Sequence, residues 1–435
     1  MLGRRFFVAT VALASVSGPA RALEYGLGVG YGARYSDNIR RVAQDPVSDI
    51  EHNLVGNGRI LVQTQRLDLS AASSVELKYY SDDSFDPRSI ATLNGTGVYT
   101  FVPDRLTWTA SDTLADTRVN SLFPATSDNL EQTNRFSTGP DITLRPSSRN
   151  TIGMLARFEN DRYQVSDDLS NNRGVGELNW KFRLSEPLTA LLRYRHETVR
   201  YRNDQPGVDF VKDVLTAGFE GNLGATVRYR IEAGPSRIQR DLSAEVTTTA
   251  GIAQLTRQIN RDSGFSVTLT SDLSDSGRST LSDPVLDPVL QVPGINPGQV
   301  DIVDTRAGNA DFFSTLGFLK YRFSATVRDE NFQTSDRDVR ATGGGLTLEY
   351  EFGPRLVGLA SGRFTRSDYP LLLRVDDDTL ANVGLQFRFR RHWSAGLFVS
   401  HDNRDSTDST QSYEENSIGV TVAYRYDSQR IQVGE

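Results

Sequence analysis

The 435-residue sequence contains no cysteine and, after its first 20 residues, no long hydrophobic run. The absence of cysteine excludes a disulfide scaffold, thiolate metal sites and thiol catalysis. The absence of about 20 consecutive apolar residues excludes a membrane-spanning helix in that part of the chain. The formal net charge of −7 argues against a general nucleic-acid-binding protein. What the chain has instead is 36 glycines and 37 phenylalanines and tyrosines, which is typical of an ordered protein with many turns.

Residues 1–22 have the features of a secretory signal peptide, in the expected order. Arg4 and Arg5 are followed by an apolar run over residues 6–16, and Ala20-Arg21-Ala22 is a small-residue cleavage site. We therefore expect the mature chain to begin near Leu23 and residues 23–435 to form one exported domain.

Hydrophobic and polar residues alternate along most of this domain. Leu178, Trp180 and Phe182, for example, are separated by Asn179 and Lys181. The same alternation occurs in residues 75–79, 265–269, 346–352, 385–389 and 418–426. A hydrophobic pattern that repeats every two residues predicts β-strands with one apolar and one polar face, and long helical periodicity is absent.

Short turns alternate with longer polar stretches between these strands. Short turns are predicted near residues 65–66, 103–104, 146–148, 185–187, 221–222, 260–262, 318–320, 353–354 and 391–392. The longer stretches are residues 36–50, 81–90, 112–131, 161–171, 203–208 and 400–412. This asymmetry is typical of outer-membrane barrels, which have short periplasmic turns and long external loops. Aromatic residues such as Trp180 and Phe182 lie beside the short turns, as in an interfacial girdle.

These patterns predict an all-β fold, a transmembrane up-and-down antiparallel β-barrel located in the bacterial outer membrane. In hydrocarbon every backbone polar group must be paired within the protein, so a spanning sheet has to close. Nine short turns predict 20 strands if the first and last strands pair, within a range of 16–20. A soluble β-sandwich also alternates, but it rarely needs 400 residues of uninterrupted hairpins.

The inward face of the predicted barrel carries many charged residues. Only four of the 48 basic residues are lysine, and many arginines share their strand face with carboxylates. The candidate lumen-facing residues are Arg193, Arg195, Glu197, Arg228, Arg230, Glu232, Arg322, Glu349, Glu351, Arg388, Arg390 and Arg425. Guanidinium–carboxylate pairs could brace a wide barrel, or the charged wall could line a conduit for an acidic or hydroxyl-rich solute.

Two other features of the sequence suggest specific roles. Residues 277–310 are the longest irregular stretch, and we expect them either to fold into the lumen and narrow it or to form a mobile external loop. Acidic clusters such as residues 376–378 lack the spacing of a known calcium loop, and we interpret them as solvated loops.

No enzymatic activity, cofactor or metal is predicted. The four histidines are His52, His196, His392 and His401, and none has a serine or aspartate at a catalytic spacing. Nucleophile-elbow, zinc-protease and phosphate-binding motifs are also absent from the sequence.

Two segments resemble a known family. Tyr35-Ser36-Asp37-Asn38-Ile39, followed by Pro46-Val47-Ser48-Asp49-Ile50, is similar to a Y-x-D-N-[IV]…S-D signature, and residues 132–140 are similar to Q-T-N-x-x-S-x-G-P. Both resemble the outer-membrane protein family associated with exosortase (PEP-CTERM) systems, within the outer-membrane β-barrel porin group. Asp37, Asn38 and Asp49 are the motif residues, and we expect Asp37 and Asn38 to cap a turn.

The resemblance implies a role in exopolysaccharide export or envelope assembly, with no catalytic residues. We therefore expect a porin-like conduit linked to exopolysaccharide export. A general diffusion porin and a non-transporting structural or assembly barrel are the alternatives. The expected partners are outer-membrane lipid, the barrel-assembly machinery and polysaccharide export components, and no nucleic acid.

Overall fold

The computed structural model describes residues 22–202, 207–241, 244–280 and 300–427. They form one closed antiparallel sheet of 20 strands, in which each strand pairs with the next and β1 pairs with β20. The strands are β1 Ala22–Ser36, β2 Asp49–Gln63, β3 Leu67–Tyr80, β4 Arg88–Val102, β5 Leu106–Arg118, β6 Leu130–Leu144, β7 Asn150–Tyr163, β8 Asn171–Ser185, β9 Leu188–Tyr201, β10 Phe210–Leu223, β11 Val227–Arg240, β12 Val246–Asn260, β13 Ser263–Asp275, β14 Ile302–Leu316, β15 Leu319–Phe332, β16 Val339–Gly353, β17 Leu356–Tyr369, β18 Arg374–Arg388, β19 Trp393–Ser406 and β20 Tyr413–Asp427.

Helical structure is minor in the part of the chain that is described. One short helix, α1 (Ser276–Thr280), follows β13, and single 3₁₀ turns occupy Ser127–Asn129, Asp167–Leu169, Pro370–Leu372 and Ser409–Gln411. No helix among the described residues is long and apolar enough to cross a membrane.

The predicted barrel and its best strand count are confirmed. Closure leaves no strand edge unpaired, because Leu27 of β1 lies opposite Tyr426 of β20 as part of a continuous ladder. Short turns such as residues 186–187 alternate with longer loops such as residues 119–129, as expected. The turn predicted at residues 221–222 lies slightly later, at residues 224–226, because β10 continues to Leu223. The predicted signal peptide lies outside the described residues, except for Ala22, which begins β1.

Several strands extend further toward the long-loop end than the sequence indicated. β5 continues to Arg118, so the loop predicted over residues 112–131 spans only residues 119–129. Residues 302–310, predicted to be irregular, belong to β14. Residues 376–378 lie in β18, and Asp376 is fully buried, so their interpretation as a solvated loop is wrong. Strand ends that stand above the lipid have polar residues on both faces, and this removes the alternation that identifies a strand.

An apolar band surrounds the outside of the barrel. The outward residues of β10 are exposed and apolar from Leu223 through Phe219 to Leu215, and Asp213 is the first outward charge. Asp213 lies ten residues from the short-turn end of its strand, and Arg306 on β14 lies ten residues from Leu316. Ten residues of a tilted strand rise roughly 25 Å, which is the height of the lipid-facing band of outer-membrane barrels.

Aromatic rings gather at the lower edge of this band, beside the short turns. The Trp180 and Phe182 ring centroids lie 6.0 Å apart, and those of Trp393 and Tyr424 lie 5.2 Å apart across two strands. Amphipathic rings are stabilised at the membrane–water interface, so this arrangement forms an interfacial girdle at the short-turn end.

Buried apolar side chains form two small clusters at the long-loop end, and others, such as Val175 and Leu191, lie outside these clusters. One contains Val199, Tyr201, Phe210, Ile238, Leu273 and Ile302. The other contains Val303, Phe332, Val339 and Tyr369, against which Leu122 packs. Among the described residues these side chains form no continuous hydrophobic core, and the candidate site is the polar inner wall.

Candidate functional site in the barrel lumen

Contacts between strands that are not neighbours identify the inner face. The Lys212 ammonium of β10 donates to Asp272 of β13 at 2.6 Å, and the Arg173 guanidinium of β8 donates to Asp275 of β13 at 2.7 Å. Such contacts can form only across the interior. Because strand side chains alternate, every second residue of β8 and of β10, counted from Arg173 and from Lys212, faces inward.

Five of the predicted residues lie on β9 and β11, on either side of β10, and line a cavity of about 470 Å³. Glu232 of β11 is buried and accepts hydrogen bonds from Arg230 beside it and from Arg193 of β9. Arg195 pairs with Glu197 at 3.4 Å on its own strand. Charged residues, most of them in ion pairs, thus make up about half of the residues that line this cavity.

The other predicted residues lie near the short turns and do not join that cavity. Glu349 and Glu351 both pair with Lys320 of β15, at 2.7 and 2.8 Å, and Arg425 pairs with Asp427 at 3.2 Å. Arg228, Arg322 and Arg388 occupy inward strand positions at the same end of the barrel. Arg390 does not, because β18 ends at Arg388 and Arg390 lies in the turn over residues 389–392, where strand alternation no longer sets its direction.

A buried charge cluster joins helix α1 to the wall. We call Arg173, Glu197, Asp275 and Arg278 the Arg173 cluster. Arg173 is almost completely buried and bonds Glu197 of β9 as well as Asp275. Arg278 of α1 donates to Glu197 at 3.2 Å. Burial lowers the pKa of Arg278, but Glu197, together with Glu159 and Asp161, outweighs burial and holds that pKa above its ordinary value. Helix α1 therefore lies inside the barrel, while residues 281–299, the rest of the stretch expected to narrow the lumen or to form an external loop, lie outside the described residues.

A second segment crosses the lumen from the opposite side. We call residues 119–129, between β5 and β6, the inner loop. The Asn129 amide donates to the carbonyls of Asn120 and Pro124, at 2.8 and 2.9 Å, which holds the loop closed. Leu122 packs in the apolar cluster of β14–β17, and its carbonyl accepts from Arg374 of β18 at 2.9 Å. The inner loop therefore reaches a distant part of the wall and narrows the lumen.

Between the inner loop and the wall lies a cavity of about 250 Å³, which we call the arginine cavity. Its lining includes five arginines and three carboxylates, namely Arg41, Arg118, Arg328, Arg363, Arg404, Glu330, Asp378 and Asp402. Burial lowers the pKa of the loop residue Arg41, but Asp402 at 2.9 Å and Glu415 at 2.8 Å raise it above its ordinary value. Arg41 therefore stays charged.

The motif residues Asp37, Asn38 and Asp49 brace loops. Asn38 is buried and donates to the carbonyls of Val42 and Glu414, at 2.9 and 3.0 Å. Asp37 accepts from both the backbone and the side-chain amide of Asn416, at 2.7 and 3.0 Å.

Asp49, the third motif residue, is also buried. Its carboxylate accepts from the backbone amides of Ile50, Asp82 and Ser84, at 2.6 to 3.2 Å, and this fixes the loop after β3. All three motif side chains are thus engaged with the protein itself. No cluster of three or more histidines and carboxylates suited to a metal ion occurs in the part of the chain that is described.

The Arg173 cluster and the inner loop were not identified from the sequence. Arg173 lies on an inward strand position, but nothing local shows that Asp275, about a hundred residues later, folds back onto it. For the inner loop the available signal was the Asn120–Asn129 pair, whose amides can close a loop.

Comparison with known proteins supports the same class of fold. The sequence model of the family described as "Putative beta-barrel porin 2" matches residues 316–426, about a quarter of the chain. No curated protein matches the sequence. This C-terminal quarter therefore resembles the outer-membrane β-barrel porins in sequence, and the described chain as a whole is an outer-membrane β-barrel in fold.

Solved structures of outer-membrane barrels are similar over nearly the whole chain, at very low sequence identity. The FrpB iron transporter from Neisseria meningitidis (F5-1 variant) is 9% identical, with 94% of this chain and 83% of that chain covered and a TM-score of 0.50. OpdO from Pseudomonas aeruginosa is 11% identical, with 94% and 97% covered and a TM-score of 0.36. The similarity to FrpB extends to the fold alone.

Proposed function

We propose that the protein is a porin-like conduit of the outer membrane that takes part in exopolysaccharide export and is not an enzyme. The observation that carries this proposal is the closed wall of 20 strands with a charged inner face. Barrels of 16–18 strands already enclose an aqueous channel, so a 20-stranded wall has room for a hydrated solute. The link to exopolysaccharide rests on the sequence resemblance at residues 35–50 and 132–140.

The inner loop favours a selective conduit over a general diffusion porin. It crosses the lumen and leaves a small cavity on its far side, so a solute must pass close to charged side chains. Outer-membrane lipid, the barrel-assembly machinery and export components remain the proposed partners.

A non-transporting structural barrel is the alternative that the Arg173 cluster favours. Buried ion pairs that tie loops to the wall could serve rigidity alone. Conductance separates the two functions, because a structural barrel need not be open.

Planar-bilayer recording of the purified full chain tests the conduit. We expect defined conductance steps that candidate polysaccharide reduces. Replacing residues 121–126 by two glycines should raise the single-channel conductance, because it removes the part of the inner loop that contacts the opposite wall. Arg366→Gln, on the outer face of β17, is the control and should conduct as wild type does. A folded protein without conductance would contradict the conduit.

Export is tested separately in cells. We expect a strain that lacks the protein to retain its exopolysaccharide inside the cell instead of secreting it. Suppose that this strain secretes normally and the purified protein still conducts. The export role would then be excluded, and a general diffusion porin would remain as the function.

A further inference from the structure

We propose that the arginine cavity binds a carboxylate-bearing saccharide through Arg118 and Arg363. The proposal relies on the proposed function only for the saccharide part of the ligand. The anionic part follows from the charges that line the cavity.

The charge balance of the lining favours an anion. Arg41 pairs with Asp402, and Arg404 donates to Asp378 at 2.7 Å. Arg328 pairs with Glu330. Each of the three carboxylates in the lining is thus matched to one arginine, which leaves Arg118 and Arg363 in excess.

Neither excess guanidinium has a direct ionic partner among the described residues. Arg118 ends β5 and Arg363 lies at an inward position of β17, and both line the same cavity. In addition, the buried Nη1 group of Arg404 has no hydrogen-bond acceptor, and its closest carboxylate oxygen, on Asp376, is 3.7 Å away. A carboxylate accepts such N–H donors in charge-assisted hydrogen bonds.

Two of the cations that surround the site are already held in place. Arg404 is held by Asp378, and its guanidinium stands 5.9 Å from the Tyr413 ring centroid, as Arg41 stands 5.8 Å from the same centroid. Because these cations are already fixed, binding an anion does not have to order them.

The size and lining of the cavity suit one sugar unit. Its volume of about 250 Å³ is below the range of drug-sized pockets, which is about 300–1,000 Å³. The hydroxyls of Ser121, Thr365 and Ser367 also line it and can hydrogen-bond a polyol. Ser121 belongs to the inner loop, so the site lies where a passing chain meets the narrowing.

Titration of the full-length protein in detergent with sodium glucuronate, followed by saturation-transfer NMR, tests this inference. We expect glucuronate to bind at least tenfold more tightly than glucose and more tightly than inorganic phosphate. In the double variant Arg118→Gln/Arg363→Gln the affinity for glucuronate should fall at least tenfold. Arg366→Gln is the matched control, since it removes an arginine from the opposite face of the same strand and should leave binding unchanged.

Three results would overturn the inference. These are equal binding of glucuronate and glucose, tighter binding of phosphate than of glucuronate, and wild-type glucuronate affinity in the double variant. If the double variant does not give a folded barrel by circular dichroism, Arg118→Lys/Arg363→Lys replaces it. This variant keeps the charge but loses the planar fork of the guanidinium. It should therefore bind glucuronate measurably, but more weakly than wild type does. Binding in detergent needs no conduction, so a failure of export does not affect this test.

Discussion

Replacing Arg173 by methionine should release helix α1 from the barrel wall. The methionine side chain replaces the apolar stem of arginine but carries no charge. Arg173 is the cation between Glu197 and Asp275, and all three side chains are almost completely buried. In the variant the two carboxylates would face each other in a site with little water.

The expected cost can be estimated from the contacts that remain. Removing one partner of a buried ion pair typically costs about 3–5 kcal/mol. Because Arg278 still contacts Glu197 at 3.2 Å, we expect the lower end of this range, about 3 kcal/mol. Because about 1.4 kcal/mol corresponds to a tenfold change in an equilibrium constant, the open form of α1 becomes roughly a hundredfold more populated.

Hydrogen exchange measured by mass spectrometry on peptides that cover residues 273–280 reports this opening. We expect their exchange to accelerate roughly a hundredfold in Arg173→Met. Arg59→Met is the control, because the Arg59–Asp427 pair at 3.1 Å is exposed and such pairs contribute only about 0–1 kcal/mol.

A second substitution should reduce the cost of losing Arg173. In Arg173→Met/Asp275→Leu the buried charges are reduced together, and well-packed apolar replacements of buried ion pairs are often neutral. We therefore expect exchange closer to that of wild type. Unchanged exchange in the single variant, or an equal acceleration in Arg59→Met, would refute the assignment of Arg173 as the tether of α1.

Two further predictions concern the strand contacts and a loop. Gly139→Ala should impair assembly, measured as the yield of folded barrel in detergent, because a Cβ there would lie 2.0 Å from the Ala156 carbonyl oxygen. Gly174→Ala is the control and should fold normally, because a Cβ at that position meets nothing within 4 Å. The hydrogen bonds that Asp408 accepts from Thr410 hold its pKa below the ordinary value of 3.8, so this contact stabilises the loop above that pH and is lost as the pH falls through the lower pKa of the folded state. The Thr410 amide resonance should therefore titrate with a midpoint below 3.8, and a midpoint at or above 3.8 would contradict the interpretation.

The architecture could be predicted because its causes are local. Alternation in segments such as residues 418–426 depends only on which side of the sheet each residue faces, and lipid on one side makes that pattern strong. Short turns such as residues 186–187 interrupt the pattern at regular distances. Strand number and closure follow from these two signals together with the need to pair every backbone group in lipid.

The site could be predicted only in part because its contacts are distant in the chain. Arg193, Arg230 and Glu232 meet because β9 and β11 flank β10 in a hairpin meander, and the alternation of side chains along the strands brings all three to one face. Arg173 and Asp275 meet because the end of β13 and helix α1 turn inward, which no pattern within either segment encodes. The same holds for Leu122, whose partners on β14–β17 lie far along the chain.

The pairing of charges in this barrel determines where it can discriminate between solutes. A 20-stranded wall encloses too much space for apolar contacts such as that of Leu122 to hold every segment in place, so ion pairs such as Arg173–Asp275 and Arg41–Asp402 hold others. Each pair cancels its own charge, and a wall of cancelled charges exerts little net field on a passing solute. The net field then arises from the few charges without partners. Arg118 and Arg363 are such charges at the narrowing, which is why their removal should change anion binding while the barrel stays intact.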